Sequence, residues 1–268
     1  MTNLVDVNTV RDLLSDGKYY DLAHPLKQGM PHSPTQPPFM YSMVKKHNDF
    51  VNDCFSSAAD IFVMGIHQGT HIDALGHVSE HGKIFGGFDA SSNQDVSRGL
   101  AQHDISSLPP IVARGRLLDV AGYLGKDYLD QDYSITADDL EATALKQGTN
   151  LERGDVALVR TGWASLFHDT ARYFAVRGPS FPGISVEAAQ WLVDRGVRAV
   201  GADNAALERR SGMGPVHRLL LVRSGIAIME NLVLNDLAKE KIYTFLFLAL
   251  PLSIVGGTGS PIRPIAIV

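Results

Sequence analysis

The chain predicts an α/β fold, one domain over residues 1–268 with a mixed central sheet. Three observations carry this. Short β-branched and apolar runs alternate with two well-capped helical segments along most of the chain. That alternation is the signature of strands connected by helices. No Pro/Gly/Ser-rich linker divides the sequence, and no internal repeat or low-complexity stretch appears.

The elements follow in order. "TVRDLLSD" (9–16) predicts a short opening helix, and "YYDLAHPL" a strand. "KQGMPHSPTQPPF" is a loop, because Pro34, Pro37 and Pro38 bar a central strand or a helix interior. "DIFVMGIH" (60–67) has the β-branched and apolar content of a buried strand. A strand is expected around Arg116–Val120. "ITADDLEATALKQG" then forms a helix of about three turns, with Thr136 as N-cap, Asp139 three residues on and Gly148 as stop. "GDVALVRTGW" is a strand entering a turn. "SVEAAQWLVDRG" is a second helix, with Ser185 as N-cap and Gly196 as stop. "VRAVGAD" is a strand, "HRLLLVRSG" a short helix, and "IAIMENL" a strand ending near Glu230. "YTFLFLALPLSI" supplies a further strand. "GGTGSP" (256–261) lacks the Lys and following helix of a phosphate-binding loop and reads as a turn.

Composition narrows the function. The formal net charge is −5 and no Lys/Arg cluster stands out, which argues against a nucleic-acid partner. The longest late apolar run, "FLFLALPL", falls far short of the roughly 20 residues that cross a bilayer. The N-terminus lacks a signal-peptide pattern, so a cytoplasmic protein with no membrane partner is expected. Cys54 is the only cysteine. An internal disulfide and any zinc site needing two thiolates from one chain are excluded. No GxSxG elbow is present, and Cys54 has no nucleophile context. A metal site would rely on His, Asp, Glu or water, which suits zinc, manganese or iron better than copper(I).

The chemistry concentrates in "HQGTHIDALGH" (67–77), which holds His67, His71, Asp73 and His77. A straight helix stacks His67 on His71 but turns Asp73 about 200° away from His71. A straight strand puts all four on one face but separates His67 from His71 by about 13 Å. The solution left is a strand ending at His67 that bends through "QGT", with Gly69 taking the unusual dihedrals. Such a bend collects His67, His71 and Asp73 on one side of an ion and leaves positions open for water and substrate, as catalytic sites do. If "DALGH" begins a helix, His77 returns to the face of Asp73, either as a fourth ligand or as a general acid/base.

The segment "HQGTHID" resembles the HxGTHxD motif of the cyclase family, which includes bacterial kynurenine formamidases and isatin hydrolases. "YYDLAHPLKQGMP", "PPIVARGRLLDVAGY", "GDVALVRTGW", "FPGISVEAAQWLVDRGVRAVGADN" and "LALPLSIVGGTGSPIRPIAIV" extend the likeness over most of the chain. The resemblance implies a swivelling β/β/α fold. It implies that His67, His71 and Asp73 bind the catalytic ion, zinc or manganese, and that His77 moves protons. For a second ion held with the shared aspartate, His217 and Glu230 are the candidates; Glu230 counts among both the ligands and the catalytic residues. A homodimer or homotetramer is implied as well. Two departures stand out. "DALGH" carries Leu75 where formamidases commonly have proline, and sequence around "SRGLAQHDISSLPP" makes the chain longer. The first leaves the particular substrate open, and the second leans toward the isatin-hydrolase-like and uncharacterised branches, where one ion, often manganese, suffices.

The expected activity is hydrolysis of an amide-type C–N bond in a small molecule: a lactam, cyclic imide or N-formyl group. A divalent ion lowers the pKa of its water toward about 7 and polarises the carbonyl. Trp163, Phe39 and Phe85, with Phe88, are candidate walls for an aromatic substrate, with core packing as the alternative for each. Asp203 is a pocket residue or a strand terminator, and His24 and His81 are not expected to be ligands. The competing readings are a cyclase or dehydratase, which adds no water to its product, and a ligand-binding protein without activity.

Overall fold

The computed structural model of the chain describes residue 15 and residues 17–268, apart from 50, 53, 177, 179 and 210–213. The helix expected at 9–16 lies outside these residues, Ser15 excepted. The strands are β1 (Tyr19–Asp21), β2 (Met40–Lys45), β3 (Ala59–Val63), β4 (His71–Asp73), β5 (Gln94–Asp95), β6 (Gly99–Leu100), β7 (Ile111–Asp119) and β8 (Ser134–Ile135). They continue as β9 (Val156–Arg160), β10 (Gly183–Ile184), β11 (Ala199–Ala202), β12 (Ala227–Glu230), β13 (Thr244–Ala249), β14 (Gly259–Pro261) and β15 (Ile265–Ile267).

Nine strands form one mixed sheet in the order β1-β15-β13-β7-β9-β11-β12-β4-β14. The middle four, β7, β9, β11 and β12, run parallel. Every pairing outside them is antiparallel. Parallel neighbours need long crossovers. The two expected helices, Ala137–Gln147 and Val186–Asp194, provide them between β7 and β9 and between β9 and β11. Thr136 and Asp139 make a reciprocal capping box, and Gly148 ends the first helix at φ 62°. Ser185 caps the second by accepting from the Ala188 N–H.

The strand period of two sorts the core into layers. Ala157 and Val159 of β9 pack with Leu140, Ala188 and Leu192 on the helix side. Val156 and Leu158 face the other way, toward Phe245, Phe247, Leu237 and Ala266. The central strands are therefore buried on both faces, and their near-continuous apolar runs follow from that.

Four expectations need correction. The strand read at 60–67 stops at Val63, and all five of its residues are exposed. It pairs only with β2, a strand the sequence reading took for no element. Apolar, β-branched composition reports strand preference, and burial depends on what lies above the strand. "YYDLAHPL" keeps only three strand residues, followed by an isolated bridge from Ala23 to Leu232. "DALGH" forms a turn and no helix. The 256–261 stretch turns only at its start and then becomes β14, an edge strand of the main sheet. The strands expected in "GDVALVRTGW", "VRAVGAD", "IAIMENL" and "YTFLFLALPLSI" are β9, β11, β12 and β13, the one expected around Arg116–Val120 is β7, which starts earlier and gives way to a helical turn at Val120, and the short β5, β6, β8, β10 and β15 carry no expectation. "HRLLLVRSG" is helical: a turn at Pro215–His217 continues as a π-helix over Arg218–Arg223.

Candidate metal centre

Strand β4 supplies the first two groups. His71 and Asp73 are two residues apart, so both point to the helix side while Ile72 enters the opposite core. Ahead of them the chain bends through residues 66–70, with Gly69 at φ 57°. The bend folds His67 back until its Nδ1 lies 2.8 Å from Asp73 Oδ1. Thr70 locks the bend: its hydroxyl donates to the carbonyl of Asn231 at 2.6 Å and accepts the His24 N–H.

Strand register brings in Glu230. It is the cross-strand partner of His71, so the two side chains share a face. Glu230 Oε2 lies 3.4 Å from His71 Nε2. His217 arrives from the crossover between β11 and β12. Its Nε2 is 3.1 Å from Glu230 Oε1 and 3.8 Å from Asp73 Oδ2. His77 returns through a turn closed by its N–H to the Ala74 carbonyl, and its ring stacks on His67 at 3.9 Å.

These contacts define two groups that share Asp73: His67, His71 and Asp73, and Asp73, His217 and Glu230. Among the described residues, His24 and His81 join neither. The Gly69 carbonyl can only accept, so His71 Nδ1 carries the proton it donates there at 2.9 Å. Nε2 is then the nitrogen turned to the centre, buried and without a hydrogen-bond partner, with carboxylate oxygens of Glu230 and Asp73 at 3.4 and 3.6 Å. An unpaired buried polar atom is costly. A divalent cation satisfies it, and the N/O donor set around it fits such an ion.

The electrostatics run the same way. Burial opposes ionisation of Asp73, but the imidazoles around it outweigh burial and hold its carboxyl far below the usual carboxylate range. Burial also opposes charge on His67, yet its bond to Asp73 raises it above the ordinary histidine value. His217 is raised well above that value, because Glu208 and Glu230 overcome the cost of burial. Burial pushes His77 down to about 4, so it is neutral at pH 7 and able to accept a proton.

Several residues around the centre escape a reading of the sequence. Glu208 accepts from His217 Nδ1 and from the Val216 N–H, which sets both the ring and the start of its helical turn. Asn231 is buried at φ 56° and holds the Thr70 clamp. Thr258 and Gly259 approach His67 from β14 and its lead-in. No local spacing marks these four, because each depends on a chain reversal elsewhere.

The aromatic candidates divide. Trp163 is fully buried, donates its indole N–H to the Tyr173 carbonyl, and packs with Leu166 and Phe181. It offers no free face, so the packing alternative describes it. Phe39 is buried and stacks on Phe62. Phe85 is half-buried over Gly225 and meets His103 edge-on, while Phe88 is exposed. Asp203 directly follows β11, is fully buried, and accepts from the Thr161 N–H and hydroxyl and from the Gly162 N–H; burial raises its carboxyl.

Comparison with known proteins meets the same residues. The cyclase family model, described as "Putative cyclase", matches residues 20–209, which include the HQGTHID segment. An isatin hydrolase of Roseibium aggregatum is 27% identical over 234 residues, 84% of this chain and 80% of that protein. A kynurenine formamidase of Bacillus cereus is 25% identical over 254 residues, 94% of this chain and 98% of that protein. A crystal structure described as a novel cyclase superposes with a TM-score of 0.86 at 30% identity, covering 97% of this chain and 91% of that one. The curled mixed sheet, the motif bend and the family match agree, and the chain belongs to the cyclase family.

Proposed function

We propose that the protein is a metal-dependent hydrolase of an amide-type C–N bond in an aromatic small molecule: a lactam, a cyclic imide or an N-formyl group. The buried Nε2 of His71, without a hydrogen-bond partner and within 3.6 Å of Asp73 Oδ1 and 3.4 Å of Glu230 Oε2, carries the reading. The relatives named isatin hydrolase and kynurenine formamidase support the bond type.

His67, His71 and Asp73 hold the principal ion, zinc or manganese. Asp73, His217 and Glu230 hold a second where two are used. A divalent ion at this place supplies Lewis-acid polarisation of the carbonyl and acidifies water. His77 takes the proton from the attacking water and delivers it to the leaving nitrogen as the C–N bond breaks. Asp73 and Glu230 offer carboxylate oxygens beside the imidazoles, a donor set that favours a divalent cation. We assign residues 1–268 to one catalytic domain and expect a homodimer or homotetramer. Among the described residues no helix is long and apolar enough to cross a membrane.

The test is a panel of aromatic lactams, cyclic imides and N-formyl amines assayed with zinc or manganese. The expected product is heavier than substrate by one water, and turnover disappears in strong chelator and returns with metal. A product of unchanged or reduced mass would favour cyclase or dehydratase chemistry. Full turnover in chelator would overturn the metal reading.

A further inference from the structure

The 256–261 stretch places two residues against the His67 ring. Its backbone is anchored, since the Thr258 carbonyl accepts the Ala74 N–H at 3.0 Å and Gly259 pairs with Asp73 across β14 and β4. Thr258 Oγ1 lies 2.9 Å from His67 Nε2, while His67 Nδ1 lies 2.8 Å from Asp73 Oδ1. A Cβ on Gly259 would come within 3.0 Å of His67 Cε1 and 2.7 Å of the Ile72 carbonyl oxygen. A side chain here would therefore clash with the Ile72 backbone and crowd the His67 ring.

We propose that Thr258 and Gly259 seat the His67 ring so that Nδ1 faces the metal centre and Nε2–H donates to the Thr258 hydroxyl. The inference rests on the metal-binding reading above. A histidine that binds a cation gives up the proton on the ligating nitrogen and keeps the one on the other. Nδ1 is the nitrogen beside Asp73, the carboxylate common to both groups. The retained proton on Nε2 then needs an acceptor, and among the described residues Thr258 is within reach. His71 is arranged the other way round, with Nδ1–H on the Gly69 carbonyl and Nε2 toward the centre. Two histidines of one motif thus bind through different ring nitrogens. The His71 acceptor is backbone and survives any substitution. The His67 acceptor is a side chain and can be removed, which makes Thr258 a positioning residue open to test.

Metal dissociation constants are measured by chelator competition for the full-length wild type, Thr258→Val and Thr258→Ser. Thr258→Val should weaken binding about 10–100-fold, the usual effect of losing the partner of a ligating histidine, while Thr258→Ser stays close to wild type. The thermal midpoint of the metal-free valine variant should match wild type, which separates seating from folding. In parallel, wild type with nitrogen-labelled histidine is loaded with spin-active cadmium. Cadmium–nitrogen coupling is expected at Nδ1 of His67 and Nε2 of His71. Coupling at His67 Nε2, wild-type affinity in Thr258→Val, or equal weakening by valine and serine overturns the inference. A wild-type chain that binds no metal overturns the parent reading instead. The cadmium measurement needs no variant, so it decides even if Thr258→Val fails to fold.

Discussion

His77 is the residue whose role depends most on its surroundings. It sits against His67 with its charge suppressed by burial, while His67, His71 and Asp73 converge on one point. A general acid/base contributes roughly 10²–10⁴-fold to rate. His77→Ala should therefore keep metal stoichiometry near wild type and lose turnover by about that factor. Elemental analysis beside kcat checks both halves, and wild-type kcat would remove the proton-carrying role. At this scale the motif residues were legible, because neither a straight helix nor a straight strand can gather His67, His71 and Asp73. The bend at Gly69 follows from that failure, and its φ of 57° bears it out. Leu75, which replaces the formamidase proline, packs partly against the helix-side core. Glu208, Asn231, Thr258 and Gly259 were not legible, since each reaches the centre from a distant part of the chain.

Elements with their own end signals were read correctly. Thr136, Asp139 and Gly148 bound one helix, and Ser185 starts the other. The capping box bears stability directly: Thr136→Ala should cost about 1 kcal/mol. Urea unfolding should show a lower midpoint with an unchanged slope, and an unchanged midpoint would mean the cap is redundant. Elements without such signals went astray. The β3 segment has core-like composition but lies in an exposed two-stranded hairpin. β14 and β15 are three residues each, too short for a period to register. Pairing decides such strands, and pairing is not local. The same pairing sets Glu230 opposite His71, so a strand-end carboxylate becomes part of the centre.

At the scale of the whole molecule, stability should fall in acid through a histidine that belongs to neither metal-binding group. His24 stacks on Phe167 at 3.7 Å, its Nε2 is buried without a partner, and burial pushes it down to about 4. The unfolded chain takes up that proton near pH 6.5 and the folded chain only near 4, so stability declines as pH drops between those values. The full loss is on the order of 3 kcal/mol. Unfolding of the metal-free protein from pH 7 to 4 should show this slope, to which His77 contributes in the same direction, and His24→Gln should make it shallower; an identical slope would assign the effect elsewhere. The α/β class, the central strands, both capped helices and the convergence of His67, His71 and Asp73 were legible in the sequence alone. Each rests on chemistry within about a dozen neighbouring residues: caps, apolar period, and the reach of a bent motif. Only the tertiary structure decided that β3 is exposed, that β14 is a strand, and that Glu208 stands behind His217 and Thr258 behind His67; that His217 and Glu230 join Asp73 was implied by the family resemblance and not by any local spacing. Those outcomes depend on strand order and register, which are settled by burial across the whole sheet and leave no mark on a single local stretch.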